Sequence, residues 1–120
     1  LRMHTGMIMP LPTQQAVIAA LADSTHVAIE KEIYSKRRAT LLAAVISYGF
    51  EVTDSEAGLY LWATLGQDCW STVDQMAELG IVVVPGSFYG EHATKHVRFS
   101  LTATDNDISR AALRLQNGLG

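Results

Sequence analysis

Arg98 is the side chain whose type and setting point most directly to chemistry. It interrupts the stretch Val97-Arg98-Phe99-Ser100-Leu101, whose strict alternation puts Val97, Phe99 and Leu101 on one face of a strand and Arg98 and Ser100 on the other. A guanidinium on a partly covered sheet face needs a planar anionic partner to offset its desolvation, and a bidentate clamp on a small-molecule carboxylate supplies one. Exposure on an edge strand explains the same residue without any ligand. Upstream, Pro85-Gly86-Ser87-Phe88-Tyr89-Gly90 is a tight loop bearing two aromatic rings. Those rings either wall a pocket or fold back into the core. The loop lacks the following Lys or third glycine of a phosphate-binding loop.

Other reactive residue types are present without a constellation around them. His92 and His96 have four-residue spacing, but Gly90 precedes them and a strand begins at His96, so they share no helical face and no Cys or carboxylate completes a metal site. Cys69 is predicted to be a buried, inert residue at a helix start, because neither a neighbouring His nor an electropositive setting is legible. Lys36-Arg37-Arg38 is the one basic cluster. With Glu30 and Glu32 a turn or two before it, a solvated, ion-paired helix face is the predicted role.

The elements that must position these residues follow from periodicity and punctuation. Pro12 suits a first helical turn, and Ala16, Val17, Ala20 and Leu21 recur at helical spacing to about Asp23. A longer helix is predicted from Thr25 to Tyr48, with Ile29, Ile33, Leu41, Leu42 and Val45 as its apolar stripe, Glu32 and Lys36 as an i,i+4 pair and Gly49 as its stop. Strands are predicted at Phe50-Glu51-Val52 and Leu59 to Ala63, around a turn of Asp54, Ser55 and Gly58. Asp68 or Ser71 caps a third helix that ends at Gly80. Ile81 to Val84 reads as a short strand buried on both faces, and Thr104 with Asp107 resembles a capping box opening a last helix through Ile108, Ala111, Ala112 and Leu115. The predicted fold class is α+β, a small sheet covered on one face by helices.

Composition bounds the function classes. The chain has 120 residues, 48% hydrophobic and 18% charged, which fits one globular domain over residues 1–120 and excludes whole-chain disorder. With 9 Lys+Arg against 12 Asp+Glu the net charge is −3, which argues against nucleic-acid binding and against a polybasic membrane surface. No apolar run reaches the roughly 18 residues of a membrane span. A lone cysteine forms no intrachain disulfide, so a cytoplasmic location is expected. Pro10, Pro12, Gln14 and Gln15 break up any signal-peptide core. The chain starts with Leu1, which suggests processing or a fragment of something longer.

The stretch from Gly80 to Ile108 resembles the C-terminal small-domain segment of class I/II, fold type I, pyridoxal-phosphate aminotransferases, in which a Pro-Gly turn and an aromatic-Gly pair precede a strand carrying an arginine. The resemblance extends backwards through Leu11 to Ala22, through Tyr34 to Gly49 with its paired arginines, and through Gly58-Leu59-Tyr60-Leu61-Trp62. Nearly the whole chain is covered. Phe88-Tyr89-Gly90, Ser100 to Asp105 and residues 3–7 look most like transaminases of lysine and diaminopimelate biosynthesis.

The resemblance implies that Arg98 grips the substrate's α-carboxylate and that Gly86, Phe88 and Tyr89 belong to the substrate pocket. It implies pyridoxal 5'-phosphate as cofactor, an amino-acid or 2-oxo-acid substrate, and a homodimer in the complete enzyme. The Schiff-base lysine would lie in a large domain upstream, since Lys31, Lys36 and Lys95 all fall within small-domain segments. These residues would then hold no catalytic group and be inactive alone. Met7, Ile8 and Met9 stand where many relatives have small hydroxyl residues, leaving Thr5 as the candidate cofactor contact. The competing expectation is a stand-alone, non-catalytic α+β module that binds a carboxylate or a protein partner.

Overall fold

The structure, a computed structural model, describes His4, Gly6 and residues 8–118. The chain divides into two compact units, residues 1–32 and 33–120. In the first, helix α1 spans Leu11–Ala22 with Pro10 at its N-cap, and Gln14 Nε2 donates to the Met9 carbonyl at 2.7 Å. No residue of α1 is buried, so the apolar positions Val17 and Leu21 cover no core. Helix α2 follows at Thr25–Tyr48. The Thr25 N–H donates to Asp23 Oδ1 at 2.8 Å, and this bond at the helix start holds the Asp23 carboxyl below its usual range.

The second unit carries the core. Its elements after α2 are β1 (Glu51–Thr53), β2 (Tyr60–Thr64), α3 (Cys69–Glu78), β3 (Val84–Pro85), two 3-10 turns (Gly86–Tyr89 and Glu91–Ala93), β4 (His96–Ser100) and α4 (Asp105–Asn117). The strands form one antiparallel sheet in the order β1-β2-β4-β3. The predicted architecture therefore holds: α+β, with helices on one face of a small sheet. Leu61, Ala63, Val97, Phe99 and Leu101 project from that face and are at most 2% exposed. Leu41 and Val45 of α2, Met76 of α3, and Ile108 and Leu115 of α4 pack onto them in one cluster.

Local chemistry accounts for the boundaries. Gly49 has φ +110, a conformation costly for other residues, and with it the N–H groups of Gly49 and Phe50 turn back to the carbonyls of Ile46 and Val45 to close α2. Asp68 Oδ2 accepts from the N–H of Trp70 at 2.9 Å and of Ser71 at 3.3 Å, so Asp68, and not Ser71, caps α3. Thr104 Oγ1 accepts from Asp107 N–H at 3.2 Å and donates to Asp107 Oδ2 at 2.7 Å, so the Asp answers the Thr hydroxyl where a longer Glu would reach the backbone.

Two predictions are corrected. Ile81 to Val84 is not a strand buried on both faces: Ile81 and Val83 are buried, Val82 is 94% exposed, and only Val84–Pro85 pairs with β4. The segment runs along the sheet's edge, where a proline with no N–H is tolerated, so it has one covered side. Arg37 and Arg38 are not a solvated face: both are partly buried and reach partners outside α2. Arg37 Nε donates to Asp105 Oδ1 at 2.5 Å and its Nη1 to the Leu101 carbonyl at 3.3 Å, joining α2 to the start of α4. Arg38 turns to the β1–β2 loop.

Candidate functional site

The face of the sheet turned away from the helices has a different composition. Tyr60 and Trp62 on β2, and His96 and Arg98 on β4, project there because they alternate with the core residues of the same strands. In register, Arg98 lies opposite Trp62 on one side and Val84 on the other. Strand β4 is thus an interior strand, and the edge-strand explanation of Arg98 fails.

Arg98 is half-buried and held by rings. Its guanidinium carbon lies 4.0 Å from the centre of the Tyr60 ring and 5.6 Å from that of Tyr89. Trp62 meets Tyr89 edge-to-face at 5.5 Å and stacks almost parallel on His96 at 5.3 Å. Arg98 Nε is buried with no hydrogen-bond partner, and no carboxylate among the described residues forms an ion pair with this side chain. His96 Nδ1 is likewise buried and unpartnered. A cation left without an anion is costly unless an anion completes it.

A cleft of about 420 Å³ opens in front of Arg98. Tyr60, Trp62 and Tyr89 line it, together with Asp54, Ser55, Ala57, Gly58 and Leu59 of the β1–β2 loop. Asp54 has φ +50, the left-handed conformation that Asp tolerates in turns. The Ser55 hydroxyl accepts from Trp62 N–H at 2.9 Å and donates to the Thr53 carbonyl at 2.8 Å, fastening one end of the loop to β2. The cleft offers one guanidinium, an aromatic lining and an acidic group in its wall, an arrangement suited to a small organic anion with an apolar body.

The remaining residues singled out from the sequence scatter around this site. Tyr89 lines the cleft; Phe88 does not, since it is 69% exposed and makes its ring contact with Trp70 on α3, at 5.7 Å. The 3-10 turn separates these neighbours in sequence. Gly86 is buried below the turn, and a Cβ there would lie 2.0 Å from the Ala93 carbonyl oxygen and 2.6 Å from that of His96. It lets two backbone segments close under Tyr89. Thr5 lies outside the described residues. Cys69 is fully buried at the start of α3, as predicted. His92 sits in a 3-10 turn and His96 in β4, and no group of three metal-ligating side chains occurs among the described residues.

Sequence and structure comparisons bear on this arrangement directly. The family model for aminotransferase class I and II matches residues 1–115. The chain belongs to that family. It is 48% identical over 95% of its length to 4-dedimethylamino-4-oxo-anhydrotetracycline transaminase of Streptomyces rimosus, covering 32% of that protein. It is 33% identical over 90% of its length to LL-diaminopimelate aminotransferase of Dehalococcoides mccartyi, covering 29% of that protein. Among solved structures, an aminotransferase from Staphylococcus aureus superposes with a TM-score of 0.80 at 28% identity, over 97% of this chain and 32% of that one. The chain therefore spans about a third of the length of the curated relatives it matches.

The resemblance in sequence implied a cofactor held through a lysine amine. No lysine lines the cleft, and its one cation is a guanidinium stacked on tyrosine. That donor set fits a carboxylate and does not fit attachment of pyridoxal 5'-phosphate. What these residues can supply is an anion clamp lined by aromatic rings.

Proposed function

We propose that residues 1–120 act as the C-terminal small domain of a pyridoxal-phosphate-dependent aminotransferase and that Arg98 binds the substrate's carboxylate. The observation that carries this reading is Arg98 itself: a half-buried guanidinium lining a cleft, with a buried Nε lacking a partner. In this role Arg98 holds the carboxylate by two parallel charge-assisted hydrogen bonds while Tyr60 and Tyr89 cover the guanidinium and limit water. Tyr89 lines the pocket, the close packing at Gly86 shapes the turn that carries it, and Phe88 is directed to Trp70 instead. The cofactor and its lysine belong, in this reading, to the large domain, and the complete enzyme is a cytoplasmic homodimer. Among the described residues no helix is long and apolar enough to cross a membrane.

For the substrate we propose N-succinyl-LL-2,6-diaminopimelate, with 2-oxoglutarate as the exchanging oxo acid, in lysine and diaminopimelate synthesis. The likeness to an LL-diaminopimelate aminotransferase supports a diaminopimelate skeleton. A bulkier cyclic ketone is the second reading. It is favoured by the three rings lining the cleft and by the identity to the tetracycline-intermediate transaminase.

The test uses the full-length enzyme. Arg98→Ala is expected to raise KM for the amino donor roughly a hundredfold or more while the cofactor's absorbance band persists. Unchanged kinetics would remove Arg98 from the site. Steady-state assays with succinylated diaminopimelate, free diaminopimelate and a polycyclic ketone then rank the substrates by kcat/KM. A preference for the ketone would favour the second reading.

A further inference from the structure

The Lys36-Arg37-Arg38 cluster has no part in the carboxylate clamp, yet one of its members shapes the cleft. Arg38, half-buried on α2, donates through Nη1 to the Ser55 carbonyl and through Nη2 to the Gly58 carbonyl, with a longer contact from Nη1 to the Tyr60 carbonyl at 3.4 Å. Ser55 and Gly58 belong to the β1–β2 loop and Tyr60 opens β2, and the loop lines the same cleft as Arg98. Tyr60, at the end of the same grip, is the ring on which Arg98 stacks.

We infer that Arg38 is a positioning residue for substrate: its guanidinium pins the wall at 54–59 and the Tyr60 backbone, so that the cleft keeps the width and the Arg98 stacking geometry that a bound carboxylate needs. This rests on the reading of the cleft as a substrate pocket. The physical reason for arginine is donor count and shape. A planar fork with five N–H donors serves several carbonyls from one side chain, whereas a lysine ammonium is a compact point charge on a flexible stem. Arg37 provides the internal contrast, since its partners, Asp105 and the Leu101 carbonyl, lie away from the cleft.

The experiment compares Arg38→Ala, Arg38→Lys, Arg37→Ala and Arg98→Ala in the full-length enzyme, reading KM and kcat for the amino donor, melting temperature, and hydrogen exchange of the peptide covering residues 54–60. Arg38→Ala should raise KM roughly tenfold to a hundredfold, because small displacements of a positioning wall have effects of that size, and should speed exchange at 54–60 selectively. Millimolar guanidinium should restore part of the KM, and Arg38→Lys should fall between the alanine variant and the parent. Arg37→Ala should lower the melting temperature with KM unmoved. A wild-type KM in Arg38→Ala beside a raised KM in Arg98→Ala overturns this inference alone. An unmoved KM in Arg98→Ala overturns the pocket reading and this inference with it. If Arg38→Ala does not fold, Arg38→Lys decides: wild-type KM and wild-type exchange at 54–60 overturn the inference.

Discussion

The two faces of the sheet are built from the same strands and have opposite chemistry. On the helix-covered face, Leu61, Ala63, Val97 and Phe99 are aliphatic or aromatic hydrocarbon, almost wholly buried and packed against three helices. On the other, Tyr60, Trp62, His96 and Arg98 carry rings, a charge and two buried nitrogens without partners. The first face lowers the free energy of the fold by removing apolar area from water. The second retains polar groups whose desolvation is not offset within the described residues, a pattern of sites kept for a ligand. The buried core and the candidate site are thus separated by one residue of register along β4.

The largest expected effect lies on the covered face. Phe99→Ala, which removes a ring that packs edge-to-face on Phe50 at 5.3 Å, should lower unfolding free energy by about 3–5 kcal/mol in urea denaturation. A loss below about 1 kcal/mol would mean that this face is not where the fold is secured. Gly86→Ala comes next, at about 2–3 kcal/mol, because the added methyl meets two carbonyl oxygens and the backbone must move. If Gly86→Ala leaves stability intact yet raises KM, the turn shapes the pocket more than it supports the fold. Thr104→Ala, at the start of a helix that covers the core, should cost about 1 kcal/mol and leave substrate binding unchanged. The smallest change in stability is predicted where the functional effect is greatest. Arg98→Leu should keep unfolding free energy within about 1 kcal/mol of the parent, or raise it, since an apolar side chain removes an unpartnered buried nitrogen. A large destabilisation by Arg98→Leu would break the contrast and make Arg98 structural.

Much of the fold was legible because it depends on short-range rules. Helical spacing located α2 within Thr25–Tyr48, Asp68 and Thr104 announced their helices, and alternation in β4 assigned Arg98 to the face away from the core. The Ile81 to Val84 segment misled because an uninterrupted apolar run cannot show which of its sides will be covered. Val82 faces solvent since it leads into β3, which lies at the sheet's edge, a fact of strand order. The site was half legible. Arg98 and Tyr89 could be named from type and spacing, whereas Tyr60 and Trp62 read only as strand residues and the 54–59 loop only as a turn. Phe88 and Tyr89 were equivalent as two rings on one loop until the 3-10 turn aimed one at Trp70 and the other at Trp62. Arg38 was hidden more deeply, because its partners are backbone carbonyls, which every residue possesses and no sequence pattern marks.

By itself, then, the sequence determined the element order, the alternation that separates core from site along β4, and the resemblance that named the family. Those are properties of neighbours along the chain, set by dihedral preference, side-chain periodicity and capping. Only the tertiary structure decided that β4 lies between β2 and β3, that Arg98 stacks on Tyr60 within a cleft, and that adjacent arginines on α2 serve a helix junction and a cleft wall respectively. These outcomes depend on strand pairing and packing between residues up to 68 positions apart, where the energies that choose a partner come from burial and geometry that local sequence does not encode.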